Sequence, residues 1–212
     1  MAYPNSPAET LADGVVHFAG LALAIPASVM LLWHLPPDDG LQAATLLYVV
    51  TLLFALTVSA LYHLLPFDRL RPTLARIDHA SIYFKIAGTY TPIVALLGSG
   101  LAYGVLGVVW ALACAGALAK LWFWRIDGRG SLLLYLAMGW LSLLLIGQMW
   151  QHLPGPTLCM IVLGGLVYSI GTVVYAHPGM RYQNAIWHVF VLVASICLFA
   201  AIALAVRTPL PV

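Results

Sequence analysis

The sequence predicts an all-α membrane protein, a bundle of seven transmembrane helices with both its core and its surface largely apolar. The first observation is composition: 63% of the 212 residues are hydrophobic and only 8% are charged. So few charged residues could not cover the exterior of a soluble domain of this size. The second is length, because a window of about 20 apolar residues, enough to cross a bilayer as a helix, fits seven times along the chain. Pro, Gly or charged residues flank each window, which is the third observation.

The seven windows follow one another as a single membrane domain over residues 1–212. No long linker, low-complexity segment or clear internal repeat separates them. The shortest connection joins the third and fourth windows, where 98-GSGL-101 supplies only a tight glycine turn. The predicted spans cover roughly residues 15–34, 41–64, 79–98, 101–123, 131–151, 155–176 and 185–206.

The basic residues predict how the bundle is oriented. Seven of the nine Lys and Arg residues lie at the two–three, four–five and six–seven connections, on the side of the N-terminus. The opposite side has Arg207, and its first loop carries Asp38 and Asp39. The positive-inside rule therefore places the N-terminus in the cytoplasm and the C-terminus outside. The seven residues are Arg69, Arg71, Arg76, Lys120, Arg125, Arg129 and Arg181.

Composition also indicates which kinds of binding partner to expect. The net charge is only +2, which gives no case for a nucleic-acid partner, so membrane lipids are the expected partners. The three cysteines, Cys114, Cys159 and Cys197, lie in apolar runs without CxxC spacing and are interpreted as packing residues.

Polar side chains collect at the predicted cytoplasmic ends of several spans. His63 closes the second span, and Ser59, four residues earlier, lies on the same side of that helix. Asp78 opens the third span and His188 lies near the start of the seventh. Ionisable residues at membrane depth usually face a cavity or a partner. Two imidazoles and a carboxylate are a common set of zinc ligands, so His63, His188 and Asp78 are a candidate metal site.

The first span begins at the same depth, with Glu9, Asp13 and His17 at i, i+4 and i+8. These side chains are competent to bind metal. Glu9 and Asp13 also suit a helix N-terminus through the macrodipole, and Asp78 could be a simple N-cap. These structural alternatives stay open at the level of sequence.

Three segments, 59-SALYH-63, 77-IDHASIYFKIAGTYTPI-93 and 182-YQNAIWHVFVL-192, resemble the hemolysin III family of bacterial membrane proteins. That family belongs with the progestin and adipoQ receptors and, more distantly, the alkaline ceramidases. The segments 9-ETLADGVVHFAG-20 and 135-YLAMGW-140 look similar too, so the likeness covers nearly the whole chain. It implies seven helices with the N-terminus inside.

The resemblance also implies a zinc ion in the cytoplasmic half of the bundle. The family motif SxxxH falls on His63, and the family's aspartate that positions a zinc-bound water falls on Asp78. The HxxxH motif of the seventh span falls on Asn184 and His188, so an amide replaces one imidazole. Because an amide oxygen is a poor zinc ligand, the chain could bind zinc weakly, bind it through Asp78 directly, or have lost it. A third nitrogen could come from His79 or His177.

Lys85 is a further charged residue within the third span. It lies seven residues after Asp78 and therefore about two turns deeper on the same side of the helix. The sequence predicts that Lys85 pairs with Asp78; snorkelling of its side chain toward the surface is the alternative.

A zinc ion on His63 and His188 would lower the pKa of a bound water toward neutrality. Asp78 could then orient or deprotonate this water, and Ser59 could support the ligands or the developing oxyanion. The likeness to ceramidases makes the expected reaction hydrolysis of a lipid amide or ester.

Four other functions stay open. The first is a non-enzymatic membrane protein for sensing or lipid homeostasis, with a weakened or lost metal site. Cytolysis by pore formation is the second, although polar residues cluster at one depth and form no stripe along a helix. A haem cytochrome is the third, but the outer His34 and His152 have no clear partners. A transporter is disfavoured because no span looks broken at the midplane.

Overall fold

The computed structural model describes residues 6–35, 39–66, 68–123, 129–177 and 179–207. These residues contain seven helical spans long and apolar enough to cross a membrane, which confirms the predicted fold class. The fifth span is composite, because a 3-10 segment, Leu141–Leu145, separates α5 from α6. The α-helices are α1 (Pro7–Trp33), α2 (Asp39–Leu64), α3 (Arg71–Leu97), α4 (Gly100–Trp122), α5 (Arg129–Trp140), α6 (Ile146–His152), α7 (Gly155–Tyr175) and α8 (Gln183–Arg207).

Helix α1 begins about two turns before the predicted span because its first turn is capped. Ser6 and Glu9 form a capping box, in which the Glu9 amide donates to Ser6 Oγ at 3.3 Å and the Ser6 amide donates to Glu9 Oε2 at 2.8 Å. The first turn of α3 is also earlier than predicted and contains Pro72. Asp78 consequently lies inside α3, where Leu70 is the N-cap, and the N-cap alternative for Asp78 is wrong.

The fifth span is interrupted near its centre, which contradicts the expectation that no span is broken. Just before the 3-10 segment, the Tyr90 hydroxyl lies 2.8 Å from both the Met138 and Gly139 carbonyl oxygens and shares its one hydrogen between them. Ser142 Oγ also donates to the Gly139 oxygen, at 3.0 Å. Glycine and serine together are a known cause of helix kinks. The sequence contains this pair but no proline in the fifth span, and the pair alone does not predict a break.

The helices pack in an order that brings the first and last spans together. Helix α1 packs against α2 and α8, while α3 packs against α2, α4 and α8. A close approach of α2 and α3 depends on Gly88, where a Cβ atom would lie 2.0 Å from Thr51 Oγ1. The starts of α1, α3 and α8 and the end of α2 therefore meet at one end of the bundle.

The orientation of this bundle across the bilayer stays a prediction from charge. Of the residues used for it, Asp38 and Arg125 lie outside the described residues, as do the side chains of Asp39 and Arg129.

Candidate metal centre

Four side chains from three helices converge at the end of the bundle where α1 and α8 begin. Asp13 and His17 come from α1, His63 from the last turn of α2 and His188 from the second turn of α8. One potential ligand atom from each lies within 4.8 Å of the others. We call these residues the four-residue group. Three of them are buried and His63 is half-buried, so the group is largely shielded from solvent.

Helix α1 supplies two members because of its spacing and its neighbours. Asp13 and His17 are four residues apart and so lie on one side of the helix. Because α1 packs between α2 and α8, this side faces His63 and His188. Asp13 is only 1% exposed, and a carboxylate so buried requires partners.

The Asp13 carboxylate contacts two of the three histidines of the group. Its Oδ1 atom is 2.6 Å from Nδ1 of His188, and its Oδ2 atom is 3.2 Å from Nδ1 of His63. An ionised carboxylate can only accept hydrogen bonds, so it favours the tautomers in which both Nδ1 atoms carry a proton. The Nε2 atoms of both rings then keep their lone pairs. Carboxylates behind metal-bound histidines commonly act in this way.

The three imidazoles stand close enough to share one ion. Ring centroids lie 4.4 Å apart for His17 and His188, 4.5 Å for His63 and His188, and 5.5 Å for His17 and His63. Rings bound tetrahedrally at ordinary zinc–nitrogen lengths have centroids about 5 Å apart. Nε2 of His17 is buried with no hydrogen-bond partner, and 3.7 Å separates it from Asp13 Oδ1. A buried nitrogen without a partner is unfavourable. A metal ion bound by this group would take that nitrogen as a ligand, so the donor set fits a metal ion.

A cavity of about 240 Å³ borders the group. His17 and His188 form part of its wall, together with Ser59 and Asp78. Beyond these residues the wall is mainly apolar and continues along α3 to Ile93. The arrangement joins a potential metal centre to a hydrophobic chamber inside the bundle.

Comparisons with known proteins identify the family. A family model described as Haemolysin-III related matches residues 7–199. The chain belongs to the haemolysin III family. It is 32% identical to Hemolysin-3 of Bacillus cereus over 90% of this chain and 89% of the relative. It is 33% identical to the Hemolysin-3 homolog of Bacillus subtilis over 90% of this chain and 91% of the relative.

A human protein, monocyte to macrophage differentiation factor, is 28% identical over 85% of this chain and 78% of its own length. The match to the haemolysin III family model includes all four residues of the group. Family membership and the seven apolar helices together establish a multi-pass membrane protein.

The residues predicted from the family motifs occupy different positions around this centre. His63 and His188 both belong to the four-residue group. Asp78 lies outside that group but lines the cavity, and its Oδ2 atom is 3.8 Å from Nδ1 of His79. Ser59 lines the same cavity. The catalytic or ligand roles of Asp78 and Ser59 stay predictions.

The residues considered as a third nitrogen source are outside the group. His79 Nδ1 is 2.7 Å from the Ala75 carbonyl oxygen, and His177 is exposed with Nδ1 3.0 Å from the Val173 oxygen. Asn184 is half-buried one turn before His188. The third imidazole of the group, beside those of His63 and His188, is that of His17.

Asp13 and His17 are the members that the motif comparison did not select. Their i, i+4 spacing on the first span was visible, but the helix macrodipole offered Asp13 a sufficient structural role. Only the packing of α1 between α2 and α8 shows that both side chains face the other histidines.

Proposed function

We propose that this protein is a zinc-dependent hydrolase of an amide or ester bond in a membrane lipid. One observation carries the proposal: the four-residue group borders an apolar cavity inside a membrane-spanning bundle. Metal-binding side chains alone would be compatible with a structural site. An adjoining hydrophobic chamber offers room for a lipid chain and excludes bulk water, as ligand sites do.

His17, His63 and His188 would hold the ion, and Asp13 would fix the rings of His63 and His188. Zinc bound to three protein ligands supplies an activated water at neutral pH and polarises a carbonyl group. The replacement of a family histidine by Asn184 does not remove the third imidazole from this set, because His17 is present.

Asp78 and Ser59 are the chain's own groups for the reaction. Both line the cavity that His17 and His188 border. The Asp78 carboxylate acts as the general base that accepts the proton of the attacking water and later delivers it to the leaving nitrogen or oxygen. The Ser59 hydroxyl donates a hydrogen bond to the carbonyl oxygen as negative charge develops there.

The position of the group suits a bond near the polar face of one leaflet. His188 lies five residues into α8, about 8 Å from its start, and His63 is next to the last residue of α2. The hydrocarbon core is about 30 Å thick, so the acyl chain would extend into the apolar part of the cavity. With the predicted orientation this is the cytoplasmic leaflet of a bacterial plasma membrane.

Two other functions are outcomes of the test. A protein that senses lipids or maintains their composition would use the same group without bond cleavage. The Bacillus relatives carry the names Hemolysin-3 and Hemolysin-3 homolog, and a lytic function of this chain would require membrane permeabilisation.

The test combines metal analysis with a lipid assay on protein in lipid nanodiscs. Wild type, His63→Ala, His188→Ala and Asp78→Asn are incubated with a fluorescent ceramide and a fluorescent diacyl phospholipid, and zinc per chain is measured. We expect about one zinc in wild type and in Asp78→Asn, and hydrolysis only in wild type. Zinc without hydrolysis would favour the sensing function, and absence of zinc from wild type after zinc incubation would refute the hydrolase. Dye release from liposomes, independent of zinc, would indicate cytolysis.

A further inference from the structure

The cavity contains a second polar cluster, centred on Lys85 in the middle of α3. The Lys85 ammonium donates to the Tyr168 hydroxyl and to Ser195 Oγ, each at 2.7 Å. These two hydroxyl oxygens are 3.1 Å apart, and Ser195 Oγ donates to the Val191 carbonyl oxygen. Lys85 is 8% exposed, and both Lys85 and Tyr168 line the cavity. The predicted pairing of Lys85 with Asp78 is therefore wrong.

The charge of Lys85 is not balanced by an acidic side chain. Among the described residues, the ion pairs involve Asp13, Asp68 and Asp78, and none includes Lys85. An ammonium carries three N–H donors, of which the two hydroxyl oxygens accept two. A charged group in the centre of a bilayer is unfavourable and usually marks a binding site or a pathway.

Lys85 is also separate from the four-residue group. It is seven positions after Asp78 in α3, and Ser195 is seven positions after His188 in α8, about 10 Å along either helix. On the other side of Lys85 the cavity wall continues to Ile93, about 12 Å farther along α3. That far section is lined mainly by apolar residues, among them Leu145, Met149 and Leu158.

We propose that Lys85, Tyr168 and Ser195 form a binding site for the carboxylate of an alkyl-chain monocarboxylic acid, whose chain fills the apolar section beyond Lys85. One ammonium balances one negative charge, which favours a carboxylate over a phosphate with up to two charges. The donors for its two oxygens are the remaining ammonium N–H and the Tyr168 hydroxyl, whose proton turns from Ser195 Oγ to the ligand. This site does not require a metal ion and holds whether or not the protein is a hydrolase.

The experiment measures equilibrium binding of radiolabelled dodecanoate to the protein in nanodiscs, with dodecanol as a probe of the same chain length without charge. We expect wild type to bind dodecanoate at least tenfold more tightly than dodecanol. Lys85→Met should bind dodecanoate at least tenfold more weakly than wild type does. Its affinity for dodecanol should be about the same as that of wild type. Lys120→Met is the matched control, because Lys120 is a fully buried lysine of α4 that does not line the cavity; it should bind dodecanoate as wild type does.

Two further variants keep the proposal testable if Lys85→Met fails to fold. Tyr168→Phe retains the lysine and the ring but removes one donor, and should weaken dodecanoate binding about three- to tenfold. His63→Ala, which disrupts the four-residue group, should bind dodecanoate as wild type does. Equal binding of dodecanoate and dodecanol to wild type, or loss of dodecanoate binding in His63→Ala with retention in Lys85→Met or Tyr168→Phe, would overturn the proposal. Loss of zinc or hydrolysis with Lys85-dependent binding intact would refute only the hydrolase.

Discussion

Replacing Asp13 by asparagine tests the geometry of the metal centre most directly. The carboxylate approaches two rings at once, with Oδ1 2.6 Å from Nδ1 of His188 and Oδ2 3.2 Å from Nδ1 of His63. Asparagine has nearly the same shape, but one of its two terminal atoms is an NH₂ donor. That donor would face a protonated Nδ1 atom, and two donors cannot form a hydrogen bond. The ring concerned must move its proton to Nε2, where it blocks metal binding, or turn away.

The expected cost follows from the number of rings affected. Loss of a carboxylate that orients one metal-binding histidine lowers metal affinity about 10- to 100-fold, or about 1.4–2.8 kcal/mol. Because Asp13 contacts two rings, we expect Asp13→Asn to fall at the upper end, near 100-fold. Competition against a fluorescent zinc chelator measures the dissociation constant of each protein in nanodiscs.

The matched control is Asp68→Asn, since the Asp68 side chain is 95% exposed and contacts Arg71 at 3.5 Å. This variant should bind zinc as wild type does. Size-exclusion profiles and helical circular dichroism establish that both variants are folded. A zinc affinity of Asp13→Asn within twofold of wild type would show that Asp13 does not orient the two rings.

Three further results are expected. His17→Ala should lose bound zinc, whereas His177→Ala, at an exposed residue outside the group, should keep it; equal zinc content in the two would exclude His17 as a ligand. Gly88→Ala places a Cβ atom 2.0 Å from Oγ1 and 3.0 Å from Cβ of Thr51, and should lower the free energy of unfolding by about 1–3 kcal/mol. Gly104→Ala, which meets nothing within 4 Å, should unfold in the same denaturant range as wild type or higher. Chelation of zinc should lower the melting temperature of wild type but not of His17→Ala, and an identical shift in both would place the stabilising ion elsewhere.

The spans and the region of the site could be predicted because they depend on local properties. The length of the apolar segments alone identifies seven helices. Because successive helices cross the bilayer in opposite directions, the sequence also predicts which helix ends, and which polar residues, lie on the same side of the membrane. His63 and His188 were predicted to be close because α2 ends where α8 begins, and the structure brings them together. Errors in the helix starts arose because Ser6, Glu9 and Pro72 extend helices beyond the apolar windows.

The partners of individual side chains could not be predicted, because they depend on which helices are neighbours. Spacing suggested that Lys85 faces Asp78, two turns away on α3. In the structure the side chain instead reaches across to α7 and α8, where Tyr168 and Ser195 accept its hydrogen bonds. The role of His17 was missed for the same reason, since the sequence does not state that α1 packs against α8.

The hydrogen bond between Asp13 and His188 joins residues 175 positions apart in the chain. An ion held by the four-residue group would therefore close almost the whole polypeptide into a loop, fastening the first helical hairpin to the last helix. Closing so long a loop constrains the unfolded chain more than a short local link does. The metal would then link the first two helices to the last one reversibly in the assembled bundle. A chain still lacking its final helix would have an incomplete set of ligands. Binding of the metal would thus report that insertion and assembly of all the helices are complete.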